Sequence, residues 1–174
     1  NVINALYARD VLLIPKEQWW LVFIPLLLTI VAASIPIGKL VDKVGRKIPL
    51  VLGLLVFGAA TWIFVNGDFF TVMLSMCLFA IGQLLVMSAV MALATDLVPA
   101  QNRGKVVGFR NFVGYIVMGA GMLLGNFLYV SPVPQAPFYT ALALMVVALV
   151  VVLFLVREPK ERVGAIEVEG APLA

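Results

Sequence analysis

The chain has 174 residues, 63% of them hydrophobic and 12% charged, a composition far outside the range of soluble globular domains. Its net charge of +3 carries no nucleic-acid signal, because Lys and Arg gather in the cytoplasmic loops of membrane proteins. The sequence has no histidine, which excludes histidine proton relays, and its single cysteine, Cys77, cannot form an internal disulfide. The high apolar content indicates an integral membrane protein.

Five apolar stretches are each long enough to cross a hydrocarbon core, which takes about 20 residues of helix. Residues 1–18, before them, are predicted to be the end of a truncated preceding helix and an external loop. The alternative is a genuine five-span protein with a short external N-terminus. The sequence predicts an all-α membrane domain over residues 19–156 and a tail over residues 157–174. The predicted spans are about 19–38, 48–66, 70–95, 106–130 and 137–156.

Positive charges divide unevenly between the two sides of these spans. One side carries only Arg9 and Lys16. The other side carries Lys39, Lys43, Arg46, Lys47, Arg103, Lys105, Arg110, Arg157, Lys160 and Arg162. Because Lys and Arg favour the cytoplasm, this second side, with the C-terminus, is predicted to be cytoplasmic.

The first predicted connection, Gly38–Lys47, is a dense polar segment with the sequence GKLVDKVGRK. Gly38 allows a neighbouring helix to come close, and Gly45 suits a tight turn with an unusual backbone angle. Asp42 at a membrane edge is costly without a partner. The pattern closely resembles the signature loop of the major facilitator superfamily, G-x-x-x-D-R/K-x-G-R-R/K. Its fixed positions here are Gly38, Asp42, Lys43, Gly45, Arg46 and Lys47.

The resemblance implies that this segment is a gate rather than a substrate site. In the family the aspartate lies near the start of the fifth helix of its half, which is expected here near Arg103 to Val106. The family's arginine pairs with an acid at the end of the preceding helix, so Arg46 is expected to pair with Asp96. Asp96 and Arg103, in the segment D-x-x-P-x-x-x-R-G, are therefore the expected gate partners of a latch that holds one alternating-access state.

The resemblance covers nearly the whole chain and implies helices two to six of a six-helix half-bundle. We favour the C-terminal half, because the chain ends soon after its last span and its third span lacks an arginine-glycine pair. The fourth span also lacks the proline of the antiporter motif. The missing N-terminal half of the transporter is then an expected partner.

Two spans carry stripes of residues at helical spacing that are expected to line a substrate cavity. They are Gln83, Met87 and Met91 in the third span, and Asn111, Tyr115, Met118, Met122 and Asn126 in the fourth. The alternatives are ordinary helix packing and hydrogen bonds between helices. About 100° around the fourth span, Gly114, Gly121 and Gly125 are expected to pack against a neighbouring helix.

These features predict secondary transport of a small solute by alternating access, with a lean towards efflux of amphipathic compounds. The alternative is a non-transporting membrane subunit, or a truncated relic, that binds a partner half. No carboxylate lies deep in a span, so a coupling proton or ion would be handled in the missing part. We expect a multi-pass plasma-membrane protein whose partners are the solute and the lipid bilayer. No enzyme, cofactor, metal site or nucleic-acid partner is expected.

Overall fold

The computed structural model describes residues 2–13, 15, 19–130 and 133–156, and the regular structure within these ranges is entirely helical. The helices are α1 (Val2–Asp10), α2 (Trp19–Val44), α3 (Lys47–Asn66), α4 (Phe69–Leu97), α5 (Ala100–Tyr129) and α6 (Ala136–Leu155). Helices α2 to α6 are long and apolar enough to cross a membrane. The predicted all-α membrane fold with five spans is thereby confirmed. The predicted tail, residues 157–174, and residues 1, 14 and 16–18 lie outside the described residues.

Two helices extend into segments that the sequence analysis assigns to connections. α2 continues to Val44 instead of ending near Gly38, and α5 begins at Ala100 instead of near Arg103. A hydropathy pattern marks where the hydrocarbon ends, whereas a helix continues until its backbone is diverted. For α2 the diversion comes at Gly45, whose φ of 97° is a conformation that side chains disfavour and that commonly ends helices.

A proline sets the boundary between α4 and α5. Val98 precedes Pro99 and adopts φ −118° and ψ 127°, because the residue before a proline is pushed out of the helical region. Pro99 itself has ψ 146° and is followed directly by the first turn of α5. The two long helices are therefore joined by only two residues.

α3 and α4 share the largest helix interface, with α2 packed on α4 and α6 packed on α3. The two backbones come closest at Gly53 and Gly82. A Cβ atom added to Gly82 would lie 3.1 Å from the carbonyl oxygen of Gly53, and one added to Gly53 would lie 2.7 Å from Val86 Cγ2. This is the small-residue packing by which membrane helices gain close contact without a hydrophobic driving force.

Apolar clusters lie towards the two ends of the bundle and differ in size. The smaller one contains Ile37, Val41 and Leu85. The larger one contains Tyr7, Ala8, Val22, Phe64, Val65, Val72, Met76 and Phe138. Its centre is Tyr7, whose hydroxyl donates to the Val65 carbonyl at 3.0 Å and whose ring meets the Phe138 ring edge-on. The short helix α1 is thus an integral part of the bundle.

The close approach of α3 and α4 predicts that Gly82→Ala destabilises the protein. Ala favours a helix over Gly by about 1 kcal/mol, but overpacking costs about 1–3 kcal/mol, so we expect a net loss. Thermal unfolding in detergent measures it. Gly119→Ala is the matched control, because a Cβ there meets nothing within 4 Å, and it should leave stability equal or higher. Equal stability of the two variants would contradict the tight contact.

Candidate functional site

Arg46 joins α2, α3 and α4 at one end of the bundle. We call this end the basic end. The helices α2, α4 and α6 end there, and α3 and α5 begin there. Its Nε donates to Asp96 Oδ2 at 2.9 Å, and its Nη1 donates to the Val41 carbonyl at 2.7 Å. Nη1 also lies 3.3 Å from Asp42 Oδ1. The Arg46 side chain is only 8% exposed and that of Asp96 15%. Arg46 and Asp96 therefore form a largely buried, hydrogen-bonded ion pair.

Gly45 determines where Arg46 lies. Its positive φ is the unusual backbone angle that the sequence analysis predicts for this glycine. Because the chain turns directly after α2, the next residue, Arg46, becomes the N-cap of α3 and reaches back to the last turn of α2. Asp96 meets it from the last turn of α4.

Two further cations of the basic end donate to backbone carbonyls at helix C-termini. Arg103 donates to the carbonyls of Thr95 and Val98 at 3.0 and 3.1 Å, at the end of α4. Lys47 Nζ donates to the Leu153 carbonyl at 2.7 Å, in the last turn of α6. The last carbonyls of a helix lack helical partners and carry the negative end of its dipole, so cations stabilise them.

Asp96 lies in the last turn of α4, where the dipole disfavours a carboxylate. The Arg46 guanidinium compensates for that cost, and this contact is the one that the family resemblance implies. The other signature residues are placed differently. Asp42 has a 77% exposed side chain, and within the described ranges its recorded partner is Arg46 rather than the start of α5. Lys43 is exposed, and a Cβ at Gly38 would meet nothing within 4 Å.

A cavity of about 330 Å³ lies among α1, α2, α3 and α4, within the size range of small-ligand pockets. Its lining is mostly apolar, with amide side chains from two positions, Asn4 and Gln83. The remaining lining residues are Ala5, Phe23, Leu26, Ile30, Phe57, Met76, Phe79 and Ala80. Gln83 is the middle residue of α4, 14 positions from each end of Phe69–Leu97, so the cavity reaches the centre of the bundle.

Of the eight predicted cavity residues, Gln83 lines this cavity. Met87 and Met91 lie further along α4 and are 37% and 38% exposed. The α5 residues Asn111, Tyr115, Met118, Met122 and Asn126 are all exposed on an open face. Gln83 is exposed as well, so it differs from the other seven in lining this cavity and not in burial. Sequence reasoning missed Asn4, although an amide in an apolar segment is a usable signal of a polar contact. It also missed the aromatic lining residues, because phenylalanines in an apolar helix give no sequence signal of a cavity.

The predicted packing glycines also divide. Gly125 is buried, whereas a Cβ added at Gly114 or Gly121 would meet nothing within 4 Å. The close glycine contact in the described ranges is the one between α3 and α4. A packing role for the α5 glycines stays a prediction.

Arg110 lies near the start of the predicted span 106–130 and contacts α4. It is the eleventh residue of α5, is half-buried, and its Nη2 lies 3.7 Å from Met87 Sδ. Ten residues of helix correspond to about 15 Å. Arg110 therefore lies about two turns further along α5 than Arg103.

At the opposite end of the bundle, Asp10 links α1 to α5. The Tyr129 hydroxyl donates to Asp10 Oδ2 at 3.1 Å, and the Arg9 guanidinium pairs with the same carboxylate. Arg9 holds the pKa of Asp10 below its usual value, so this carboxylate is ionised at neutral pH. In the ranges that the structure describes, no group of three or more His, Cys, Asp or Glu residues is placed to hold a metal ion.

Comparison with known proteins identifies relatives for nearly the whole chain. The Major Facilitator Superfamily model matches residues 2–174. Quinolone resistance protein NorA of Staphylococcus aureus is 30% identical over 128 residues, which cover 71% of this chain and 32% of that protein. Multidrug resistance protein 1 of Bacillus subtilis is 30% identical over 137 residues, covering 76% and 34% respectively. The chain spans about a third of the length of these curated relatives.

The ion pair predicts that Arg46→Ala alone lowers the stability of the protein more than Arg46→Ala combined with Asp96→Ala. The single substitution Arg46→Ala leaves Asp96 largely buried beside the negative end of the α4 dipole. It should cost on the order of 3 kcal/mol of stability. Arg46→Ala combined with Asp96→Ala should recover much of that loss. Thermal unfolding in detergent measures both, with exposed Lys43→Ala as the control. A double variant no more stable than Arg46→Ala would rule out the uncompensated carboxylate as the cause.

Proposed function

The chain belongs to the Major Facilitator Superfamily and is a multi-pass protein of the cell membrane, and on that premise we propose that it is part of a secondary transporter. The transporter moves a small solute by alternating access. The observation that carries the proposal is the cavity that reaches the middle of α4 at Gln83. A binding site near the bilayer midplane is what alternating access requires, since each side of the membrane must reach it in turn.

The cavity lining favours an amphipathic solute. Aromatic and aliphatic side chains form most of the wall, and the amides of Asn4 and Gln83 supply hydrogen-bond donors and acceptors. Such a site holds an apolar body and orients one polar group. The names of the two relatives, a quinolone resistance protein and a multidrug resistance protein, support efflux as the direction.

The signature segment and its partners form the gate of this proposed transporter. We place the basic end in the cytoplasm, because Lys and Arg concentrate there. The buried pair Arg46–Asp96 is the central contact of the latch, and Arg103 and Lys47 hold helix ends beside it. The proposed gate comprises Gly38, Asp42, Lys43, Gly45, Arg46, Lys47, Asp96 and Arg103.

The open face of α5 completes the solute pathway together with the N-terminal half of the transporter. Polar groups on a membrane helix need water or partners, so this face is suited to a wet passage or to a protein neighbour rather than to lipid. Met87 and Met91 extend the same passage on α4, with flexible side chains that adapt to varied solutes. Coupling to a proton or an ion is assigned to the other half.

Transport is tested by reconstituting the gene product that contains this chain into proteoliposomes. Ethidium and 1-pyrenebutyrate, an amphipathic cation and anion, are the probes, with a proton or sodium gradient imposed. We expect gradient-driven flux of at least one probe. A stable, correctly inserted protein that moves neither probe, yet associates with a partner chain, would favour a non-transporting subunit.

Gln83→Ala should weaken solute binding by about two- to tenfold, the value of one hydrogen bond, while expression and insertion stay near normal. The half-saturating solute concentration for flux measures this change. Leu74→Ala, on the same helix but exposed and outside the cavity lining, is the control. If Gln83→Ala abolishes folding instead, its amide serves packing rather than solute binding.

Weakening the latch should shift the protein towards inward-facing states. Asp96→Asn should have the larger effect, because its partner contact is buried, and Asp42→Asn the smaller, because its side chain is exposed. Labelling of single cysteines introduced on either side of the bundle, with Cys77 first replaced by Ser, reports the shift. Unchanged labelling in Asp96→Asn would contradict the gating role.

A further inference from the structure

Arg110 differs from the other basic side chains of this end in what it contacts. Arg46 pairs with a carboxylate, and Arg103 and Lys47 donate to backbone carbonyls. Within the described ranges, the recorded polar contact of Arg110 is the Met87 sulfur at 3.7 Å. A thioether is a weak acceptor without charge, whereas a guanidinium is permanently charged and carries five donors. The contact leaves most of that donor capacity available to a ligand.

A charged guanidinium whose contact is an uncharged thioether is costly at the position of Arg110. Arg110 is the fifth residue of the predicted span 106–130, so it lies about 6 Å inside that span. Asp96 is nine residues beyond Met87 on α4, about 13 Å further towards the basic end. Intramembrane charges without a near counter-charge mark binding sites by default.

Space for a ligand exists beside the guanidinium. Gly114 lies one turn along the same face of α5, and a Cβ there would meet nothing within 4 Å. The neighbouring residue Asn111 presents an exposed amide. On the α4 side, Met87 and Met91 offer partly exposed, polarisable apolar surface. Arg110 therefore lies beside partly exposed apolar surface on α4.

We propose that Arg110 binds the anionic oxygen group of an amphipathic ligand whose apolar part lies on Met87 and Met91. This inference rests on the proposed transport function and adds a second contact point to it, outside the cavity at Gln83. Planar guanidinium donors match a carboxylate, sulfonate or phosphate in bidentate geometry. The site therefore favours ligands that carry an anion at one end.

Two sources supply this chemistry. One is a transported solute with a carboxylate, and the other is the phosphate of an anionic lipid, which an arginine near the membrane edge can reach by extending its side chain. The two are separable by experiment, since a solute binds in lipid-free detergent and a lipid effect depends on bilayer composition.

The experiment measures binding of 1-pyrenebutyrate, its uncharged methyl ester and 1-pyrenebutylamine to the detergent-solubilised full gene product by fluorescence. We expect Arg110→Gln to weaken 1-pyrenebutyrate binding about tenfold or more, because charge-assisted hydrogen bonds are lost. Binding of the ester should change less than twofold. Arg110→Lys should restore part of the affinity for the anion. Lys105→Gln, which removes an exposed cation from the same helix, should change nothing.

A parallel arm compares thermal stability in nanodiscs of phosphatidylcholine with and without phosphatidylglycerol. If Arg110→Gln removes a stabilising effect of phosphatidylglycerol but leaves 1-pyrenebutyrate binding intact, the anion is a lipid phosphate. If neither response depends on Arg110, the inference is overturned while the transport proposal stands. If the wild type binds none of the three probes and shows no phosphatidylglycerol effect, the inference is overturned, and flux of ethidium decides the transport proposal separately.

Discussion

The buried guanidinium of Arg46 is the interaction on which the basic end of the bundle depends. The apolar cluster nearer this end is small, with three buried residues that come from α2 and α4. Arg46 adds what that cluster lacks, since it links the end of α2, the start of α3 and the end of α4 through one side chain. A buried ion pair is stabilising only while both partners are in place and becomes costly once one is removed. Such a contact is suited to the gate that we propose, which forms in one arrangement and breaks in the other.

The opposite end is held in a different way. Its larger apolar cluster draws on α1, α2, α3, α4 and α6, with Tyr7 at the centre. α5 contributes little to either cluster. Of its residues, the larger cluster has Tyr129 packed against it, and the smaller cluster has none. The helix is held near its ends instead, by Arg103 against the end of α4 and by Tyr129 against Asp10. Polar contacts of this kind exchange with water at a membrane surface more readily than buried apolar packing does. Within the described chain, α5 is therefore the helix best able to move relative to the others.

The features that the sequence predicts are those specified by residues close together in the chain. Span number follows from long apolar runs, and the conformation of Gly45 follows from residue type within a short motif. The pairing of Arg46 with Asp96, 50 residues apart, came from family resemblance, because nothing local specifies it. The glycine contact between α3 and α4 was missed because neither Gly53 nor Gly82 belongs to a Gly-x-x-x-Gly pattern, and their contact exists only in the packed bundle. The helix extensions were missed because hydropathy detects the membrane boundary, not the end of backbone hydrogen bonding.

The same distinction between membrane boundary and helix end separates the cations of this chain. Counted from the sequence, Arg103 and Arg110 are equivalent members of a positive side. In the fold they are two turns of α5 apart, one capping a helix end and the other facing a thioether inside the span. Depth, rather than charge count, assigns the first to holding the structure and the second to binding. An anion held by Arg110 with its apolar part on Met87 would bridge α5, the loosely held helix, to α4, which belongs to both apolar clusters. Ligand binding at this point would then bias the position of the helix with the greatest freedom to move.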